Sequence, residues 1–265
     1  MEYVYPIAVF AILGIVLGGM LAIAAKLFAI DVDPRIEQLS ECLPGANCGG
    51  CGYAGCGACA AAIVSGEAPV TACPGVSAAN LKVMCEIMGM ATIEKEETCA
   101  VVKCQGNMEN AVYRYFFDGS KTCSDIAALK DGDKMCTYAC LGYGDCQKAC
   151  EFGAITMQNG IAHIDRNVCT GCGVCAKTCP RSVIDILPKS AKIQVLCNSK
   201  EKGAAMKAIC SVGCIGCKLC EKACETGAIT VTDNLATIDN AKCTACGACV
   251  EKCPKKIIHL LGEES

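Results

Sequence analysis

The sequence predicts an α+β protein: a single N-terminal transmembrane helix, a small cysteine-rich domain beside it, and two tandem copies of a larger cysteine-rich unit. Three observations carry that expectation. Residues 6–25 form an almost unbroken apolar run, the cysteine motifs of the second half recur at a spacing of 74 residues, and the segments between paired motifs alternate apolar and polar residues around turn dipeptides.

The apolar run is about 20 residues, enough to span the hydrocarbon of a bilayer. A secretory signal peptide fits less well. The chain starts acidic at Glu2, the run is longer than an h-region, and no cleavage site follows. Lys26 and Arg35 follow the run, which places the rest of the chain on the cytoplasmic side of the cell membrane in single-pass topology. Gly14 and Gly18, with Gly19 beside them, make a small-residue face suited to a partner helix, although glycine is also ordinary in membrane helices.

The 28 cysteines in 265 residues exceed the roughly 8–10% that marks a cysteine scaffold. A cytoplasmic location disfavours disulfides. Tryptophan is absent and aromatics are only 5%, so large apolar anchors are scarce and bound metal is a candidate source of folding energy. The net charge of −3 and the scattered lysines leave no footprint for nucleic acid.

Two runs of C-x2-C-x2-C-x3-C-P are intact, CTGCGVCAKTCP at 169–180 and CTACGACVEKCP at 243–254. This is the bacterial ferredoxin run, in which three cysteines hold one 4Fe-4S cluster and the fourth reaches the neighbouring cluster. The ligands it predicts are Cys169, Cys172, Cys175 and Cys179 in one copy and Cys243, Cys246, Cys249 and Cys253 in the other. Each run has an upstream mate. In the second unit this is Cys214, Cys217, Cys220 and Cys224. In the first, Cys140, Cys146 and Cys150 are present, but Tyr143 stands where the second unit has Cys217, and Cys136 is taken as the fourth thiolate. The segments AITMQNGIAHID and AITVTDNLATID between the motifs predict hairpins turning at Asn159-Gly160 and Asp233-Asn234. Zinc ribbons, the competing reading, take two separated C-x2-C pairs rather than three thiolates at steps of three.

Nearer the helix, CLPGANCGGCGYAGCGAC holds Cys48, Cys51 and Cys56, and Cys73 follows in TACPG after an alanine-rich helical stretch at 58–64. Glycines here let the backbone wrap closely and aim its amides at sulfur. Spacing alone leaves zinc open at this site.

A lone membrane-spanning helix, then CGGCGYAGC with a trailing ACPG, then tandem ferredoxin motifs resembles the B subunit of the Rnf complex, the ion-translocating ferredoxin:NAD oxidoreductase, over nearly the whole chain. The resemblance implies a membrane-proximal cluster on Cys48, Cys51, Cys56 and Cys73, five 4Fe-4S clusters in all, and a wire passing electrons from soluble ferredoxin to membrane and peripheral subunits while the complex moves Na+ or H+. Electrons are expected to enter through the ferredoxin-like repeats and leave through the membrane-proximal cluster. A ferredoxin-like subunit of another membrane redox complex, or a membrane-tethered zinc module, are the alternative functions.

The parts expected are a transmembrane helix at 1–30, the membrane-proximal domain at 31–80, a linking module at 81–133, and ferredoxin-like units at 134–190 and 191–265. Within the module, AANLKVMCEIMGM predicts a helix and AVYRYFFDG a strand. A sixth cluster can be drawn from Cys104, Cys123, Cys197 and Cys210, Cys123 matching Cys197 by the repeat while VVKCQG around Cys104 matches QVLCNS around Cys197 by context. The alternative is that they are buried free cysteines, the reading preferred for Cys42, Cys59, Cys85 and Cys99. His163 and His259 are expected to be structural, and no glycine-rich dinucleotide loop or Walker motif is present.

Overall fold

The computed structural model describes residues 4–27, 33–119, 122–129 and 131–262. The outer ends of the expected transmembrane segment, 1–3 and 28–30, lie outside them. Helix α1 spans Val4–Leu27, with described side chains beginning at Val9. Among the described residues no helix is long and apolar enough to cross a membrane.

The N-terminal domain, residues 33–88, is three packed helices. α2 (Pro34–Cys42) starts where the Asp33 carboxylate accepts from the Arg35 N–H, with proline in the first turn. α3 (Cys56–Ser65) ends at Gly66, whose left-handed backbone closes the helix. α4 (Ala78–Ile87) is capped by the Ser77 hydroxyl accepting from Asn80 N–H. Their inward faces bring Leu39, Ile63, Leu81 and Met84 to full burial, each contributing about 1.5–3 kcal/mol of transfer energy.

The remainder is two units of one design. In the first, β1 (Thr98–Val102) pairs antiparallel with β4 (Ile184–Pro188). Between them lie α5 (Cys123–Ala128), α6 (Asp145–Lys148), the hairpin β2 (Ile155–Gln158) and β3 (Ile161–Ile164), and α7 (Val174–Thr178). In the second, β5 (Ile193–Val195) pairs with β8 (Ile258–Leu260). Inside are α8 (Gly203–Ile209), α9 (Leu219–Ala223), the hairpin β6 (Ile229–Thr232) and β7 (Leu235–Ile238), and α10 (Ala248–Lys252). From α6 onward the units keep the 74-residue spacing, Ile155 of β2 answering to Ile229 of β6. Both hairpins turn where expected, Asn159, Gly160, Asp233 and Asn234 all having positive φ.

Two features of the linking stretch differ from expectation. β1 lies within 81–133, yet its register with β4, Thr98 opposite Pro188 through Val102 opposite Ile184, makes it the closing strand of the first unit. AVYRYFFDG forms no strand. Only isolated bridges arise there, Ala111 with Cys210 and Tyr113 with Lys134, because the segment crosses the junction between units instead of running along one sheet. Buried Lys134 fastens this crossing, its Nζ donating to Gly106 O at 2.7 Å and Gly160 O at 3.0 Å.

Candidate iron-sulfur sites

Four short helices of the two units each carry one buried cysteine, Cys146 on α6, Cys175 on α7, Cys220 on α9 and Cys249 on α10. The loop before each of these helices supplies the cysteines three and six residues earlier, except before α6, where Tyr143 takes the nearer place and only Cys140 is present. These loops curl through left-handed residues, and at Gly142 the requirement is steric as well, since a Cβ there would collide with the Gly160 carbonyl.

The cysteines ring cavities of similar size, between about 320 and about 370 Å³ of space partly open to solvent. One is lined by Cys48, Cys51, Cys56 and Cys73, as the sequence predicts, with Cys59 behind them. A second is lined by Cys150, Cys169, Cys172 and Cys175, and a third by Cys214, Cys217, Cys220 and Cys253. Both are the crossed arrangement expected of the ferredoxin run, three cysteines of one motif with the fourth of its mate. Cys249 stands beside Cys243, Cys246 and Cys224, close enough for all three to raise its pKa, though burial is the larger cause.

The remaining cavity departs from the expected ligand set. It is lined by Cys140, Cys146 and Cys179, as predicted, but its fourth cysteine is Cys123. Cys136 is not in that ring. Helix α5 presents Cys123 from the insertion of the first unit, and Ser124 anchors the helix by donating N–H and hydroxyl to Asp145 at 3.1 and 3.2 Å. Tyr143 turns away and donates its hydroxyl to Asp133 Oδ2 at 2.5 Å. A usable sign of this lies in the VVKCQG and QVLCNS match, which pairs Cys104 with Cys197 and so frees Cys123 for another role.

Burial pushes the Cys146 and Cys175 thiols up to about 12, with neighbouring cysteines adding to it. Thiols so disposed need a cationic centre to become thiolates. A tetrahedral zinc would draw its sulfurs to about 3.8 Å of one another. Rings of four sulfurs around a cavity suit a bulkier, multi-iron group. Backbone amides aimed at sulfur, such as Ala100 N–H to Cys169 Sγ at 3.3 Å, are the contacts that tune such a group.

The ring of Cys48, Cys51, Cys56 and Cys73 abuts the first unit. Cys172 and Phe152 line both its cavity and that of the Cys150 ring, and Lys177 Nζ donates to Gly50 O at 3.0 Å across the junction. His163 and His259 sit in strands β3 and β8, opposite Thr156 and Gln194.

Fold and rings together define an iron-sulfur protein of ferredoxin type. Family models agree, matching a putative Fe-S cluster at residues 43–74, a 4Fe-4S binding domain at 161–184 and a 4Fe-4S dicluster domain at 213–257. The chain is 48% identical to the B subunit of the ion-translocating oxidoreductase complex of Methanosarcina acetivorans, over 96% of this chain and 97% of the relative. It is 42% identical to the B subunit of the Na(+)-translocating ferredoxin:NAD(+) oxidoreductase complex of Acetobacterium woodii, over 96% and 76%. With the corresponding subunit of the proton-translocating complex of Clostridium ljungdahlii the identity is 41%, over 96% and 91%. The chain belongs to this family, the B subunits of ion-translocating oxidoreductase complexes, and it is an iron-sulfur electron-transfer subunit.

Proposed function

We propose that the chain is a membrane-anchored wire that takes electrons from reduced soluble ferredoxin and delivers them to the membrane subunits of a complex coupling NAD reduction to Na+ or H+ movement. Five rings would hold 4Fe-4S clusters: Cys48, Cys51, Cys56 and Cys73; Cys150, Cys169, Cys172 and Cys175; Cys123, Cys140, Cys146 and Cys179; Cys214, Cys217, Cys220 and Cys253; and Cys224, Cys243, Cys246 and Cys249. A bound cluster supplies a one-electron carrier whose potential the protein sets by burial and hydrogen bonds.

The single observation that carries this reading is the contact between rings. The membrane-proximal cavity and the Cys150 ring share Cys172, so a path leads from the first ferredoxin-like unit to the N-terminal domain. On α1, Phe10, Ile15 and Leu21 are at least 70% exposed, which supports a helix seated in lipid as the anchor, and the charges of Lys26 and Arg35 favour the cytoplasmic side for the rings. The chain's own residues bind, space and insulate the carriers. No side chain is needed to make or break a substrate bond.

The test is anaerobic purification of the full chain with its companion subunits. Expected are a brown protein bleached by dithionite, iron and acid-labile sulfide of at least about 20 each per chain, and reduction by ferredoxin. A colourless folded protein loaded with zinc would sink this reading.

A further inference from the structure

Four cysteines remain near one another at the junction of the two units, Cys104 and Cys136 from the first and Cys197 and Cys210 from the second. Cys136 and Cys210 are related by the 74-residue repeat, and Cys104 and Cys197 by their place beside the closing strand of each unit. Cys104 lies two residues beyond β1 and Cys197 two beyond β5. Each Sγ accepts the N–H of the first cysteine of its unit's motif, Cys140 to Cys104 at 3.4 Å and Cys214 to Cys197 at 3.4 Å. Cys136 and Cys210 stand four residues before those same motif cysteines. Duplication therefore brings two equivalent pairs to one place.

Backbone contacts draw the pairs together. Val112 donates to Ile209 O at 3.0 Å and accepts from Met135 N–H at 2.8 Å, so the residues before Cys210 and Cys136 are tied to the same crossing segment. A Cβ on Gly106 would lie 3.5 Å from Cys104 Sγ and 3.7 Å from Cys210 Sγ, so sulfurs of both units flank one glycine. Their exposure separates them from packed cysteines. Cys59, Cys85 and Cys99 are 0–1% exposed, whereas these four are 7–8%, like Cys140, Cys146 and Cys214, whose sulfurs face ring cavities.

We propose that Cys104, Cys136, Cys197 and Cys210 hold a sixth 4Fe-4S cluster at the junction, two ligands from each unit. The proposal rests on the five-ring reading and extends it. This site joins rings that otherwise end on opposite sides of the junction, since its sulfurs accept from Cys140 of one unit and Cys214 of the other.

The test is iron and sulfide content, with the electron paramagnetic resonance of the reduced protein, on the anaerobic full-length chain. Wild type is expected to hold about 24 iron, and Cys104→Ser with Cys197→Ser to hold about 20 while the other cluster signals persist. Cys123→Ser combined with Cys136→Ser is expected to remove about eight iron, because the two residues serve different rings. Loss of only about four from that pair would place both in one ring and overturn the proposal. Wild type at about 20, unchanged by Cys104→Ser with Cys197→Ser, would overturn the sixth site and leave the five rings standing. Wild type far below 20 would overturn the five-ring reading, and the sixth site with it.

Discussion

Gly50 lies so close to Cys172 that a Cβ on it would stand 2.7 Å from the Cys172 carbonyl oxygen. Only a residue without a side chain lets the membrane-proximal domain seat against the first unit at this point. The contact matters because Cys172 belongs to the neighbouring ring.

Gly50→Ala is therefore expected to pry the two rings apart, at about 1–3 kcal/mol of interdomain packing, while both keep their iron. Stopped-flow reduction by ferredoxin would then show unchanged filling of the distal clusters and slower arrival at the membrane-proximal one. Gly57→Ala, where a Cβ meets nothing within 4 Å, is the control. Equal rates in all three proteins would show that the junction does not govern transfer.

Cys123→Ser is expected to break the ring it shares with Cys140, Cys146 and Cys179, removing about four iron. Adding Tyr143→Cys restores the motif spacing of the second unit, and with it the four-iron signal. No recovery would mean that the insertion, and not the motif loop, sets the ring geometry.

Lys134→Met removes the ammonium shared by the Gly106 and Gly160 carbonyls, at about 1–3 kcal/mol for stranded buried acceptors. The melting temperature is expected to fall by several degrees. Burial pushes the Cys140 thiol up to about 11, and the Lys134 charge opposes that. Losing the charge makes added negative charge less welcome, so the nearby cluster is expected to become harder to reduce. A redox titration that shows no negative shift would remove Lys134 from any electrostatic role.

The order of transfer is open to a direct trial. With Cys48 and Cys51 both changed to serine, ferredoxin is expected to reduce the remaining clusters at the normal rate while onward delivery to the membrane subunits stops. If ferredoxin oxidation is lost instead, and onward delivery from a chemical reductant survives, the direction proposed is reversed.

The parts legible in the sequence are those set by local spacing. The turns at Asn159-Gly160 and Asp233-Asn234, the helices around Cys56 and Met84, and the cysteine steps of three all follow from residues within a few positions of one another. What escapes is closure over distance. Cys136 stands nearest in sequence to the broken motif, but the missing place at Tyr143 is filled from farther away by α5, because the insertion folds back over Asp145. The β1 strand likewise falls in a stretch that reads as a linker, since nothing local in TCAVV names a partner at residues 184–188.

The pairing of β1 with β4 also bears on how the protein is made. The membrane-proximal ring is complete once Cys73 has emerged, and its three helices can fold while the rest is still being synthesised. The first unit cannot close until Pro188 arrives to meet Thr98, and the cysteines from Cys123 to Cys179 all lie inside that clasp. Because domains fold as units and the N-terminal one folds first, iron delivery to a ribosome-bound chain would come in successive waves, one as each unit closes. The first serves a finished domain, and the second finds thiols that have waited, reduced and unprotected, for their closing strand.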